Sequence, residues 1–140
     1  MTATSNVLRL CVDFHLFPDN TQLGPAFSLS GFDFIQPPNS MIMFVNQTGS
    51  EKGLQFPDQG MEVTLPLLVT SVRMRLGTFA GPVDISALDS AGAVVSKKTI
   101  PGLNSYINVR MFAPEIASLQ FKGGGNEGIL VRLCVMVCCC

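Results

Sequence analysis

"SVRMRLG", Ser71 to Gly77, decides the fold. Val72, Met74 and Leu76 fall on one side of the chain, and Arg73 and Arg75 fall on the other. A period of two is the signature of a strand with one buried face, because successive side chains of extended backbone point in opposite directions. "YINVRMF", Tyr106 to Phe112, repeats the pattern: Ile107, Val109 and Met111 alternate with Tyr106, Asn108 and Arg110.

Outward from these two runs the chain keeps the same character. Short alternating segments recur, separated by Gly, Pro, Asn and Asp, and helical periodicity is nearly absent. This predicts an all-β protein, an antiparallel β-sandwich or jelly roll. Strands are expected at 7–14, 27–35, 40–45, 61–65, 71–76, 82–88, 93–99, 106–112, 116–122 and 129–137. "DSAG", Asp89 to Gly92, reads as a hairpin turn: Asp bonds its own backbone and Gly supplies positive φ. "QPPN", Gln36 to Asn39, reads as a loop, since neither proline donates to a ladder.

The 140 residues fit one domain with its own core, expected over residues 1–137, with 138–140 as a cysteine tail. Hydrophobic residues make up 47% of the chain and charged ones 14%, which predicts apolar surface covered by a partner or a second copy. The net charge of −1 argues against a nucleic-acid-binding field or a polybasic lipid patch. No stretch is long and apolar enough to span a membrane. Arg9, Asp13 and His15 interrupt the N-terminal segment, so no secretory signal is read there.

Residues for catalysis are scarce. His15 is the chain's one histidine, and it lies roughly 13 Å along an extended strand from Cys11, beyond hydrogen-bond reach. The expectation is a protein that is not an enzyme and needs no cofactor. "KGGGNEG", Lys122 to Gly128, offers backbone N–H groups to an anion but lacks the Lys-Ser/Thr of a phosphate loop, so it reads as a bent strand connection. "NQT", Asn46 to Thr48, matches a glycosylation sequon and is read as accidental.

"VTLPLLVTSVRMRLGTFAGPVDISALDSAGAVV", Val63 to Val95 and about a quarter of the chain, resembles bacterial carbohydrate-binding-like jelly-roll modules of the galactose-binding-like type. The resemblance implies a sandwich fold, and a structural calcium for which Asp13, Asp19, Asn20 and Glu127 are the candidate ligands. It also implies a glycan site. The chain has no Trp and one Tyr, so such a site is short of its usual stacking platforms.

The cysteines carry the other functional signal. Arg-Leu-Cys-Val occurs twice, at 9–12 and 132–135, placing Cys11 and Cys134 on the outer faces of the first and last strands. In jelly rolls these strands pair, so the two cysteines are expected on one surface, near each other. Three readings of Cys138, Cys139 and Cys140 are open: lipidation, a soft-metal site, or disulfides to a neighbouring subunit. The third uses all five cysteines and resembles, in architecture and cysteine placement, bacterial endospore appendage subunits. The preferred expectation is therefore a self-assembling structural subunit, a filament or shell joined by intersubunit disulfides at a cell or spore surface. The alternative is a lectin-like module that binds a surface glycan.

Overall fold

A computed structural model describes residues 6–139. It contains ten strands: β1 (Asn6–Asp13), β2 (Ala26–Leu29), β3 (Phe32–Ile35), β4 (Phe44–Thr48), β5 (Glu51–Phe56), β6 (Met61–Thr78), β7 (Val83–Leu88), β8 (Val94–Ile100), β9 (Tyr106–Gly123) and β10 (Gly128–Cys139). Every pairing between them is antiparallel, and the architecture is the expected all-β sandwich.

Two long strands hold the sandwich together. The first halves of β6 and the second halves of β9 pair through Met61–Thr64 and Ser118–Phe121, and join β3, β2, β7 and β8 in one layer. The other halves pair through Ser71–Gly77 and Tyr106–Phe112, and join β10, β1, β5 and β4 in the second layer. The register shifts on either side of Val69, between Thr64 and Ser71, opposite the segment between Phe112 and Ser118. Pro66 and Pro114 fall in these breaks, where no ladder hydrogen bond is lost. The sequence predicts a separate strand on either side of each proline; the chain instead bends through each proline as one strand that changes layer.

The core is one cluster between the layers. Val72, Met74, Leu76, Val109, Met111, Leu133 and Val135 face inward from the second layer. They meet Phe34, Val63, Ile85, Leu119 and Phe121 of the first. The alternation in "SVRMRLG" and "YINVRMF" thus separates core from surface as expected. On β1 the apolar face is covered only toward its end: Val12 and Phe14 are buried, while Leu8 is 45% exposed.

Four further strand assignments differ from the sequence reading. Residues 27–35 form a hairpin rather than one strand, because Ser30 and Gly31 both adopt positive φ and turn the chain. β4 begins at Phe44, since Gln36 pins the preceding loop through Ser40 Oγ and the Met41 carbonyl, both at 2.7 Å. β5 escapes prediction because Glu, Lys and Gly open it, and none of these favours a strand. The sequence ends the last strand at Val137; β10 runs on to Cys139, opposite Asn6.

Candidate functional site

The outward face of the second layer collects the chain's arginines. Register places four residues side by side across β1, β10, β6 and β9: Cys11, Cys134, Arg73 and Arg110. One row along are Asp13, Arg132, Arg75 and Asn108; the row on the other side is Arg9, Met136, Ser71 and Phe112. All five arginines of the protein, Arg9, Arg73, Arg75, Arg110 and Arg132, therefore stand on one face. With Cys134 they line a groove of about 330 Å³.

A disulfide forms part of this groove's floor. Cys11 and Cys134 face each other across the β1–β10 ladder, with Cα atoms 4.1 Å apart, and are bonded. Cys134 is 3% exposed and lies outside the core cluster. It is on the outer side as expected, but arginines cover it: Arg9 Nη2 lies 3.8 Å from Cys134 Sγ, and Arg132 Nη2 lies 3.7 Å from Cys11 Sγ.

Positive charge predominates on the face, with five guanidiniums against the carboxylates of Asp13 and Glu51. Arg73 lies opposite Arg110, and Arg75 opposite Arg132. Like charges directly across a ladder oppose folding. Among the described residues, one carboxylate pairs with these guanidiniums: Glu51, whose two oxygens lie 3.0 and 2.9 Å from Arg75 Nε. Arg75 Nη1 also donates to Asn108 Oδ1 at 3.3 Å, and its guanidinium sits 5.7 Å from the centre of the Tyr106 ring. Burial pushes the Tyr106 phenol above its ordinary value, so it remains a neutral hydroxyl at neutral pH.

Phe112 stands at the edge of this face and is 63% exposed. The sequence reading counts only Trp and Tyr as stacking platforms and passes over it. Its signal is parity: in "YINVRMF", Phe112 falls on the same side as Arg110, Asn108 and Tyr106. The face therefore holds an open aromatic ring beside charged hydrogen-bond donors.

The other expected site residues go elsewhere. His15 is exposed and its ring pairs with the Asp13 carboxylate. Asp19 accepts from the Gln47 amide at 2.9 Å, Asn20 turns the chain with positive φ, and Glu127 lies in the turn before β10. Among the described residues no three His, Cys, Asp or Glu side chains gather to hold a metal ion, so the candidate calcium ligands are not assembled. The three consecutive glycines of "KGGGNEG" do not form an anion cradle. Gly123 and Gly124 donate to the carbonyls of Asp58 and Pro82, and Gly125 donates to the Asp58 carboxylate, all at 2.9 Å. In the sequon, the Asn46 amide donates to Gln55 Oε1 at 2.7 Å. Cys138 and Cys139 close β10, their side chains lie outside the described residues, and so does Cys140.

Solved structures that this chain resembles in fold include carbohydrate-binding modules. A mutant family 29 module complexed with mannohexaose is 13% identical, with 94% of this chain and 92% of that one covered, at a TM-score of 0.56. Another mutant of that module, complexed with cellulohexaose, is 13% identical over 93% and 91%, at 0.56. A further family 29 module is 14% identical over 94% and 89%, again at 0.56. No family model matches the sequence. No curated protein matches it either.

The chain thus has the jelly-roll fold of carbohydrate-binding modules, as the resemblance in Val63–Val95 implies. The expectation of a self-assembling, disulfide-joined structural subunit is corrected. The fold neighbours are carbohydrate-binding modules, and nothing supports the likeness to spore appendages. Cys11 and Cys134 are spent on each other within one chain, so neither is a free acceptor for a neighbouring subunit.

Proposed function

We propose that this protein is a non-catalytic carbohydrate-binding module whose ligand lies across the outward face of β1, β10, β6 and β9. One observation carries the reading: the arginine-lined groove, with Phe112 exposed on the same face two residues beyond Arg110. Sugar rings present apolar faces and a rim of hydroxyls. An exposed aromatic ring covers the first, and guanidinium N–H groups donate to the second. The fold neighbours include modules complexed with mannohexaose and cellulohexaose, which supports a glycan over other ligand classes.

Such a module works outside the reducing cytosol, and the Cys11–Cys134 bond fits an oxidising setting. Catalysis has little to build on, with His15 tied to Asp13 at the surface and both strand cysteines oxidised.

Affinity gel electrophoresis tests the proposal. The protein is run through gels containing neutral and acidic plant, fungal and bacterial polysaccharides, beside a variant carrying Arg73→Ala and Phe112→Ala. At least one polysaccharide is expected to retard the protein and not the variant. Equal retardation of both, or free migration through every gel, overturns the reading.

A further inference from the structure

We infer that the glycan is acidic: a polysaccharide bearing uronate carboxylates, held by Arg73, Arg110, Arg132 and Arg9. The inference rests on the carbohydrate-binding reading and names the ligand chemistry of the same groove.

The argument begins with a cost. The chain carries ten acidic residues against nine basic ones, so carboxylates were available to neutralise this face. Asp13 lies opposite Arg132 and Glu51 pairs with Arg75, yet Arg73 and Arg110 oppose each other across the β6–β9 ladder with no carboxylate between them among the described residues. For a neutral glycan, Asn, Gln or Ser would supply donors without that repulsion. An anion removes the repulsion and gains charge-assisted hydrogen bonds, so a face arranged in this way is complementary to negative charge.

The spacing suits a polymer rather than a single anion. Residues two apart on a strand are separated by roughly 7 Å, and adjacent strands by about 5 Å. The arginines thus form a patch that meets several charges of a chain laid across the strands. The groove of about 330 Å³ runs among them.

The choice of carboxylate comes from the face itself. Glu51 shows how Arg75 takes one: both carboxylate oxygens lie within 3.0 Å of its Nε. A guanidinium N–H donates charge-assisted hydrogen bonds to carboxylate oxygens. Arg73 and Arg110, both exposed, make no ion pair among the described residues and hold the same chemistry open to a ligand. Phe112, next along β9 on the same face, lies where the apolar side of a neighbouring sugar would stack.

The test uses one polymer in two charge states. Affinity for polygalacturonate is measured by calorimetry before and after full methyl esterification, which keeps the backbone and removes the charge. Dextran sulfate and single-stranded DNA are the other arms. Arg73→Gln and Arg110→Gln are compared with Lys97→Gln, which removes an exposed charge from β8 in the other layer. The expected result is binding of polygalacturonate that weakens about tenfold with either arginine substitution. It should fall steeply between low and high salt and be lost on esterification. Lys97→Gln should bind as the unaltered protein does. Equal affinity for the esterified polymer, or indifference to both arginine substitutions, overturns the acidic-glycan inference and leaves glycan binding standing. Preference for dextran sulfate or DNA overturns the choice of carboxylate polysaccharide. Failure to bind any polysaccharide, charged or neutral, overturns the carbohydrate-binding reading along with it.

Discussion

Arg73 on β6 lies directly opposite Arg110 on β9, with both side chains exposed on the same outward face. The pair works against the fold, because opposed like charges on a ladder cost about 0.2–1 kcal/mol. A groove that puts charge there for a ligand should lose stability to keep it. Arg73→Gln is therefore expected to be about 0.5 kcal/mol more stable than the unaltered protein while binding acidic glycan less tightly. Urea unfolding measures the first effect. A variant less stable than its parent would show that the two arginines are structurally supported.

Phe112 separates stacking from folding. Its ring is 63% exposed and contributes little to the core. Phe112→Ala should change stability by no more than about 0.5 kcal/mol and weaken glycan binding about two- to tenfold. Parallel unfolding and binding titrations check both. A large loss of stability would place the ring in the fold rather than in the site.

The Cys11–Cys134 bond closes a loop with a sequence separation of 123 residues. In the chain-entropy account, a loop of this size contributes about 5 kcal/mol. Replacing both cysteines by Ala should lower stability by up to that amount. It should also weaken binding, because Arg9 and Arg132 rest against the two sulfurs. The comparison is urea unfolding of protein and variant, each with and without reductant. Reductant should shift the protein toward the variant and leave the variant unmoved. If reductant does not affect the unaltered protein, the bond plays no part in its stability.

Leu133 is fully buried on the inward face of β10, between the cysteine and arginine positions that point outward. Leu133→Ala should cost about 2–5 kcal/mol through lost burial and the cavity left behind. Arg132→Ala, one residue away and exposed, should cost under about 0.5 kcal/mol. Denaturant midpoints of the two variants give the contrast. Equal costs would mean that the inward and outward faces of β10 are assigned wrongly.

Much of this fold is legible residue by residue. Val72, Met74 and Leu76 are readable as core and Arg73 and Arg75 as surface, because the period of two is a property of the extended backbone alone. The hairpin at Asp89–Gly92 is equally local: Asp89 Oδ1 accepts the amides of Ala91 and Ala93, and Gly92 takes positive φ. The bends of β6 and β9 are less legible. Pro66 and Pro114 read as strand ends, and only the pairing of β6 with β9 on both sides of them shows that the strands continue.

The sequence by itself determined which side of its own strand each arginine, each strand cysteine and Phe112 occupies, since parity depends only on neighbours in the chain. It left open the strand order across the face and the register of the pairings, because these join residues dozens to more than a hundred positions apart. Only the tertiary structure decided that β1, β10, β6 and β9 adjoin in that order. That order sets Cys11 against Cys134 and Arg73 against Arg110, and it gathers arginines from four separate segments into one groove. The register comes from the joint burial of all four inward faces, a requirement no single strand contains.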